Sequence, residues 1–257
     1  MKKKSRILLY SPGIDSFIAH WYLKNKLGIK DENLMLLYYV LNSRYSIHEY
    51  GVLRARKDVR IIFDYGLNLG PIEHPDAYIP NRNALMVLHA AGAYDADFIY
   101  LNGTLSDRVS DNNQKAYKQM ENLCRVCLNK NIKITSPFPA NKYKEELVLE
   151  FAEKNDPKLL LETFSCYNPV AKNKSEKPVE ECMNCKACFR KNVVLNLVGI
   201  KRPFKNNLIT DEYIKEFVMD FKGNSNPRRG ATIKYLKYIG KLFSMIQQRD
   251  QKKRREE

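Results

Sequence analysis

The chain has 257 residues, 44% hydrophobic and 28% charged, which is the make-up of a soluble globular protein with room for one large α/β domain or a domain plus an appendage. Its longest strongly apolar run, residues 34–41, is far short of the ~20 residues that a membrane span needs, which excludes a transmembrane helix. The net charge is +15, and residues 222–257 alone carry eleven Lys or Arg against three Asp or Glu, enough to attract a polyanion, although solubility is a sufficient role for it.

Met1 and three lysines imitate the start of a secretory signal, but the apolar segment behind them stops after residues 7–10, so an intracellular, cytoplasmic protein is expected. Those four residues suit a buried parallel strand. A small polar loop follows at once, Ser11-Pro12-Gly13-Ile14-Asp15-Ser16. Ser11 and Gly13 keep bulk away from the turn, Asp15 or Ser16 can cap the next helix, and the first-turn N–H groups then point at an anion, with phosphate the expected ligand.

Phe17, Ile18, Trp21, Tyr22 and Leu27 continue at helical spacing, and Gly28 is placed to end that helix. Strands are expected over 34–40 and 59–63, with a helix over 48–57 between them. Pro71, Pro75 and Pro80 bracket an irregular loop. Residues 82–93 read as a buried helix and 97–101 as a fourth strand, ending in Asn102-Gly103-Thr104. A helix over 112–128, a strand over 132–135 and a charged helix over 142–154 complete an alternation that predicts a doubly wound parallel sheet. Ligands of such sheets sit outside the strand carboxyl ends, where the loops at Ser11, 39–44, Pro80 and Gly103 would converge.

Cys166, Cys182, Cys185 and Cys188 provide four thiolates in overlapping C-x-x-C spacing, the number that a closed tetrahedral zinc site takes. Zinc would tie a polar loop to a helix starting near Lys191, in a structural role; an iron–sulfur cluster is the other ligation with such spacing. Cys124 and Cys127 fall within a predicted helix and read either as two buried small residues on one face or as a redox pair.

With these residues in view, the chain resembles the 7-cyano-7-deazaguanine synthases of the PP-loop ATP pyrophosphatase group. The Ser11–Ser16 loop is similar to that family's S-G-G-x-D-S, Ile79-Pro80-Asn81-Arg82-Asn83 resembles V-P-G-R-N, and Glu162-Thr163-Phe164-Ser165-Cys166-Tyr167 with Cys182, Cys185 and Cys188 looks like E-T-W-S-C-Y plus a zinc knuckle. Together these motifs cover about residues 5–195. The resemblance implies an adenine nucleotide alpha hydrolase-like fold. It also implies ATP, Mg²⁺ and Zn²⁺ as cofactors and adenylation of 7-carboxy-7-deazaguanine, which ammonia then carries through the amide to the nitrile. The groups implied to act on the reacting phosphates are Asp15, Ser16, Arg82 and Lys144, the last also readable as a solvated helix lysine. Nucleotide contacts are implied for Ser11, Gly13, Asp15, Ser16, Asn83, Gly103 and Asp107, and Asp107 and Asp111 match acidic residues that face the deazapurine, or else cap a hydrophilic loop.

This sequence departs from the pattern at Pro12, which has no N–H to donate, at Asn81, which tolerates the positive φ of the family's glycine, and after the second strand, where Arg44 and Glu49 follow a different segment. The expected organisation is a nucleotide-binding domain over 1–160, a zinc-binding segment over 161–200 and a basic helical extension over 201–257. In the extension, helices are expected over 211–221 and 231–248; Tyr235, Ile239, Leu242, Phe243 and Ile246 form a stripe that either packs back on the domain or pairs two subunits, a homodimer being expected. Two other readings stand beside the first: transfer of the activated acyl group to an amine on a protein or nucleic acid that meets the basic C-terminus, or tRNA thiolation through Cys124 and Cys127.

Overall fold

Five short apolar segments assemble into one sheet: β1 (Arg6–Leu9), β2 (Leu34–Tyr39), β3 (Ile61–Asp64), β4 (Phe98–Tyr100) and β5 (Lys133–Thr135). The computed structural model describes residues 4–107, 109–171, 179–204, 209–219 and 226–256. The strand order is β3-β2-β1-β4-β5 and every neighbouring pair is parallel, with Arg6 opposite both Leu34 and Phe98. The chain winds outward from β1 to β3, then returns to lay β4 against the other side of β1. Loops leaving β1 and β4 therefore diverge, and a crevice opens between them.

Both faces of the sheet are covered, which is why β1 to β4 are mostly continuous apolar runs, while the edge strand β5 is Lys133-Ile134-Thr135. On one face Ile7, Leu9, Leu37, Ile99 and Ile134 pack against α3 (Arg82–Ala93) and α4 (Gln114–Leu128). On the other, Leu8, Leu36, Tyr38 and Tyr100 meet α1 (Ile14–Asn25), α5 (Lys144–Ala152), and parts of α2 (Ser46–Ala55) and α6 (Lys186–Leu197). The doubly wound parallel sheet expected from the sequence is present.

Local chemistry sets the ends of these elements. Asn113 accepts the Ala116 N–H at 3.0 Å, so α4 begins two residues after the expected 112. Tyr143 and Glu146 form a capping box that starts α5 at Lys144. Helix α3 starts at Arg82 after Asn81, whose φ of 53° is the left-handed conformation anticipated for it. Neither Asp15 nor Ser16 caps α1; its N-cap is Gly13, without a capping side chain.

After the sheet, β6 (Val170–Ala171) and β7 (Val179–Glu180) form a short antiparallel ribbon that leads to the cysteines. Helix α6 starts at Lys186 and not near Lys191, because Cys185 is its N-cap and Cys188 lies in its first turn. Two more helices follow, α7 (Asp211–Val218) and α8 (Pro227–Glu256). The first is shorter than 211–221, of which 220 and 221 lie outside the described residues; the second extends past 231–248 at both ends and has proline at its start. A third core joins this extension to the cysteine segment, with Phe164, Cys188, Phe189 and Val193 packed on Phe204, Phe217 and Tyr235. Tyr235 is fully buried there and Ile239 partly so, whereas the side chains of Leu242, Phe243 and Ile246 lie outside the described residues.

Phe189 is the hinge pin of the third core, with ring contacts to Phe204, Tyr213, Phe217 and Tyr235 at 5.6–6.1 Å. Phe189→Ala is expected to cost about 3–5 kcal/mol in equilibrium unfolding. A loss below about 1 kcal/mol would show that the extension does not depend on it.

Candidate active site and metal centre

At the crevice beside β1 lies a cavity of about 280 Å³, whose wall includes Ser11, Gly13, Asp15, Asn83, Asp107 and Lys144. Ser16, on the first turn of α1, is fully buried, and its hydroxyl is the knot of the loop. It accepts the Ser11 N–H at 3.0 Å and the Asn102 amide at 2.8 Å, and shares a hydrogen bond with the Ser11 hydroxyl at 2.9 Å. The loop after β1 is thereby tied to the loop after β4. With no side chain capping α1, its first-turn N–H groups are left to the cavity. Gly13 has φ −70°, and a Cβ there would make ordinary contacts, so this glycine leaves room without a special conformation.

Asp15 and Lys144 form an ion pair of 2.7 Å across the cavity mouth, both partly exposed. Nearby Asp107 accepts the Thr104 N–H at 2.8 Å; burial pushes its carboxyl up and the Asp15 charge adds to the shift, while Lys144, the Thr104 N–H and Arg228 oppose it. Two carboxylates and one ammonium thus meet at the end of the loop after β1.

The opposite wall is aromatic and basic. Tyr45 and Tyr167 stand with ring centres 5.6 Å apart, each holding a guanidinium: Arg82 donates to the Tyr45 hydroxyl at 2.7 Å and Arg190 to that of Tyr167 at 3.0 Å. Glu49, on α2, accepts the Tyr38 hydroxyl at 3.1 Å beside them. Burial pushes its carboxyl up to about 7, opposed by the Arg82 charge and the Tyr38 hydrogen bond.

Several expected contacts are differently placed. Asp111 does not line the cavity; it accepts the N–H groups of Asn83 and Ala84 at 2.8 and 3.3 Å and the Asn83 side-chain amide at 3.0 Å, so it caps α3. Asn83 lines the cavity with its amide already engaged. Gly103 is off the cavity wall, and its glycine is needed because a Cβ would fall 2.2 Å from the Tyr117 hydroxyl. Arg44 serves the proline loop, donating to Glu73, His74 and Pro75. Cys124 is buried but Cys127 is exposed, so they are not two buried neighbours, and neither lines the cavity. Tyr45 and Arg190 carried no site role in the sequence; Arg190 had one signal, a basic pair with Lys191 just behind the last cysteine.

The four thiols of Cys166, Cys182, Cys185 and Cys188 lie within 4.8 Å of one another. Tetrahedral zinc with bonds of about 2.3 Å separates its sulfurs by about 3.8 Å; Cys182 and Cys188 are 3.9 Å apart, and Cys185 and Cys188 3.6 Å. The Cys182 N–H points at the Cys166 sulfur at 3.2 Å and the Asn184 N–H at that of Cys182 at 3.3 Å, an arrangement suited to thiolates. The donor set fits zinc and leaves no coordination position open, so a bound ion would be structural. It would anchor the start of α6, the helix that carries Arg190. Lys191, next to it, donates to the Thr163 carbonyl and to Glu181 at 2.9 Å, stapling the helix to the segment before Cys166.

Elemental analysis is expected to find about one zinc per chain, and Cys188→Ser should lose the ion and melt well below the wild type; a zinc-free chain of unchanged melting temperature would remove the assignment. A second expectation concerns Glu49. Its folded pKa of about 7 exceeds the ordinary 4.5, so the folded chain holds a proton that the unfolded chain has released, and stability falls as pH rises between those values. Glu49→Gln should flatten that part of the stability–pH curve, and an unaltered slope would count against this burial.

Among described residues no helix is long and apolar enough to cross a membrane. No curated protein resembles the chain closely enough to count as a match. Residues 22–199 match the family described as Queuosine biosynthesis protein QueC, a stretch that begins just after the Ser11–Ser16 loop and contains the rest of the site. That match covers well over half of the sequence, and the chain belongs to the QueC family, whose activity is of the 7-cyano-7-deazaguanine synthase type.

Proposed function

We propose that this chain uses ATP to activate the carboxylate of 7-carboxy-7-deazaguanine and converts it with ammonia, through the amide, to the nitrile. The observation that carries the reading is that one cavity joins an uncapped helix start after β1 to a wall of paired tyrosines and arginines. The first suits phosphates; the second suits a flat heterocycle with an anionic substituent.

Ser11, Gly13 and the first turn of α1 would cradle the phosphates, with Lys144, Arg82 and Arg190 offsetting negative charge. Asp15 and Asp107 are the carboxylates that would hold Mg²⁺ beside phosphate oxygens, and a cation there would relieve the repulsion between them. The substrate carboxylate oxygen bonds to the α-phosphorus as pyrophosphate leaves. Ammonia then attacks the acyl carbon, loses a proton and expels AMP. Activation of the amide oxygen by a second ATP lets C–O cleavage and loss of the nitrogen's protons form the nitrile. Each step needs charge offset and alignment rather than a protein nucleophile. Glu49, on the heterocycle side, is suited to accept ring N–H groups once ionised.

Incubation with ATP, 7-carboxy-7-deazaguanine and ammonia should release AMP and give nitrile detectable by mass spectrometry. Lys144→Met should raise the KM for ATP by about tenfold, equivalent to about 1.4 kcal/mol. ATP binding without any nitrile would sink the proposed reaction.

A further inference from the structure

The family match ends at residue 199, yet the start of α8 and the end of α7 reach the helix that carries Lys144. Arg228, in the first turn of α8, is buried. Its Nε donates to Glu145 at 3.3 Å, its Nη1 donates to the Phe217 carbonyl at 3.1 Å, and its guanidinium lies 4.2 Å from the Phe217 ring centre. Asn226 ties the start of α8 to the end of α7, accepting the Arg228 N–H and donating to the Val218 carbonyl, both at 2.9 Å.

Glu145 has no solvent exposure and directly follows Lys144 at the start of α5. Among the described residues its ion pair is with Arg228. The Ser106 hydroxyl, from the loop after β4, accepts the Lys144 N–H at 3.3 Å and donates to Glu145 at 3.4 Å. A continuous set of contacts thus runs from the extension, through Glu145 and Ser106, to the residue whose ammonium meets Asp15 at 2.7 Å.

A buried ion pair is a poor device for stability alone, since apolar residues of similar volume serve as well or better; what it does supply is a fixed relative placement of the two elements that carry it. We propose that Arg228 is a positioning residue of the nucleotide site, holding the first turn of α5 through Glu145 so that Lys144 is presented to the phosphate end of the cavity. This rests on the nucleotide reading above. It makes the extension part of the active site rather than an appendage.

The test compares full-length wild type with Arg228→Met, Arg228→Lys and the double variant Arg228→Met/Glu145→Leu. Melting temperature, calorimetric ATP affinity and the KM values for ATP and deazapurine are measured for each. Arg228→Met is expected to melt lower and to bind ATP about tenfold more weakly, with the deazapurine KM changed by less than about twofold, and Arg228→Lys to recover part of the affinity. In the double variant no charge is left unpaired, so melting should return toward wild type while ATP affinity stays about tenfold weak. Recovery of wild-type ATP affinity along with stability in the double variant would overturn the proposal, as would unchanged affinity in Arg228→Met. Wild-type protein that binds no ATP would instead remove the nucleotide reading and, with it, this role.

Discussion

The reversal of strand order beside β1 is the constraint on which the rest of the structure depends. Because β2 and β4 both pair with β1, the loops leaving β1 and β4 must part, and the chain has to close that gap with its own side chains. Ser16 does so. A single fully buried hydroxyl links Ser11 on one side to Asn102 on the other, leaving the backbone of the first α1 turn free for a ligand. A larger or apolar side chain there would leave the Ser11 N–H and the Asn102 amide without this acceptor, which is costly in a buried position.

The strand ends, the loops after them and the helices α2 and α3 form most of the cavity wall. The cysteine segment closes it with Phe164, Ser165, Tyr167 and Arg190, and charged contacts hold that segment in place. Glu181, on the ribbon side, accepts the Ser165 N–H at 2.7 Å and pairs with Lys191 at 2.9 Å and Arg202 at 2.6 Å. One carboxylate therefore joins the segment before Cys166, the helix that carries Cys188 and the start of the extension. Burial lowers the pKa of Lys191 while Glu181 sustains its charge, so the staple and the carboxylate depend on each other. With the segment fixed, Tyr167 and Arg190 complete the wall begun by Tyr45 and Arg82.

Much of this was legible in the sequence where one physical signal dominated. The sheet follows from short apolar runs separated by helical spacing, and the residues of α3 could be read from a stretch behind Pro80 that is rich in helix formers and apolar on most faces. Four cysteines at those spacings pointed to one cluster, and their thiols do come together within 4.8 Å, close enough to hold a metal ion. Legibility failed where two uses of one residue type compete. Asp111 is an acidic residue after the β4 loop, like Asp107, but a helix start at Arg82 needed a capping acceptor and took it from across the loop. Gly103 sits at a strand's carboxyl end, as a ligand contact would, yet it is there because Tyr117 leaves no space for a side chain. The start of α6 was expected too late, near Lys191, because the cysteines were read as belonging to the loop, whereas Cys188 sits in the first turn of the helix. Tyr45 and Arg228 could not be found at all, because their roles depend on partners 37 and 83 residues away.

Pro12 becomes intelligible in the same terms. Its missing N–H counts against a phosphate loop only if that N–H would have faced the ligand, and Pro12 is buried, off the cavity wall. What the position contributes is its carbonyl, which accepts the Phe164 N–H at 2.7 Å and so ties the loop to the segment that carries Ser165, Cys166 and Tyr167. Proline restrains φ at that junction without disturbing the acceptor. The Gly13 N–H is directed at the Ser11 hydroxyl at 3.4 Å and the first-turn N–H groups of α1 lie beyond the proline, so the proline removes none of them, and the substitution exchanges one N–H donor for a stiffer link between the two halves of the site.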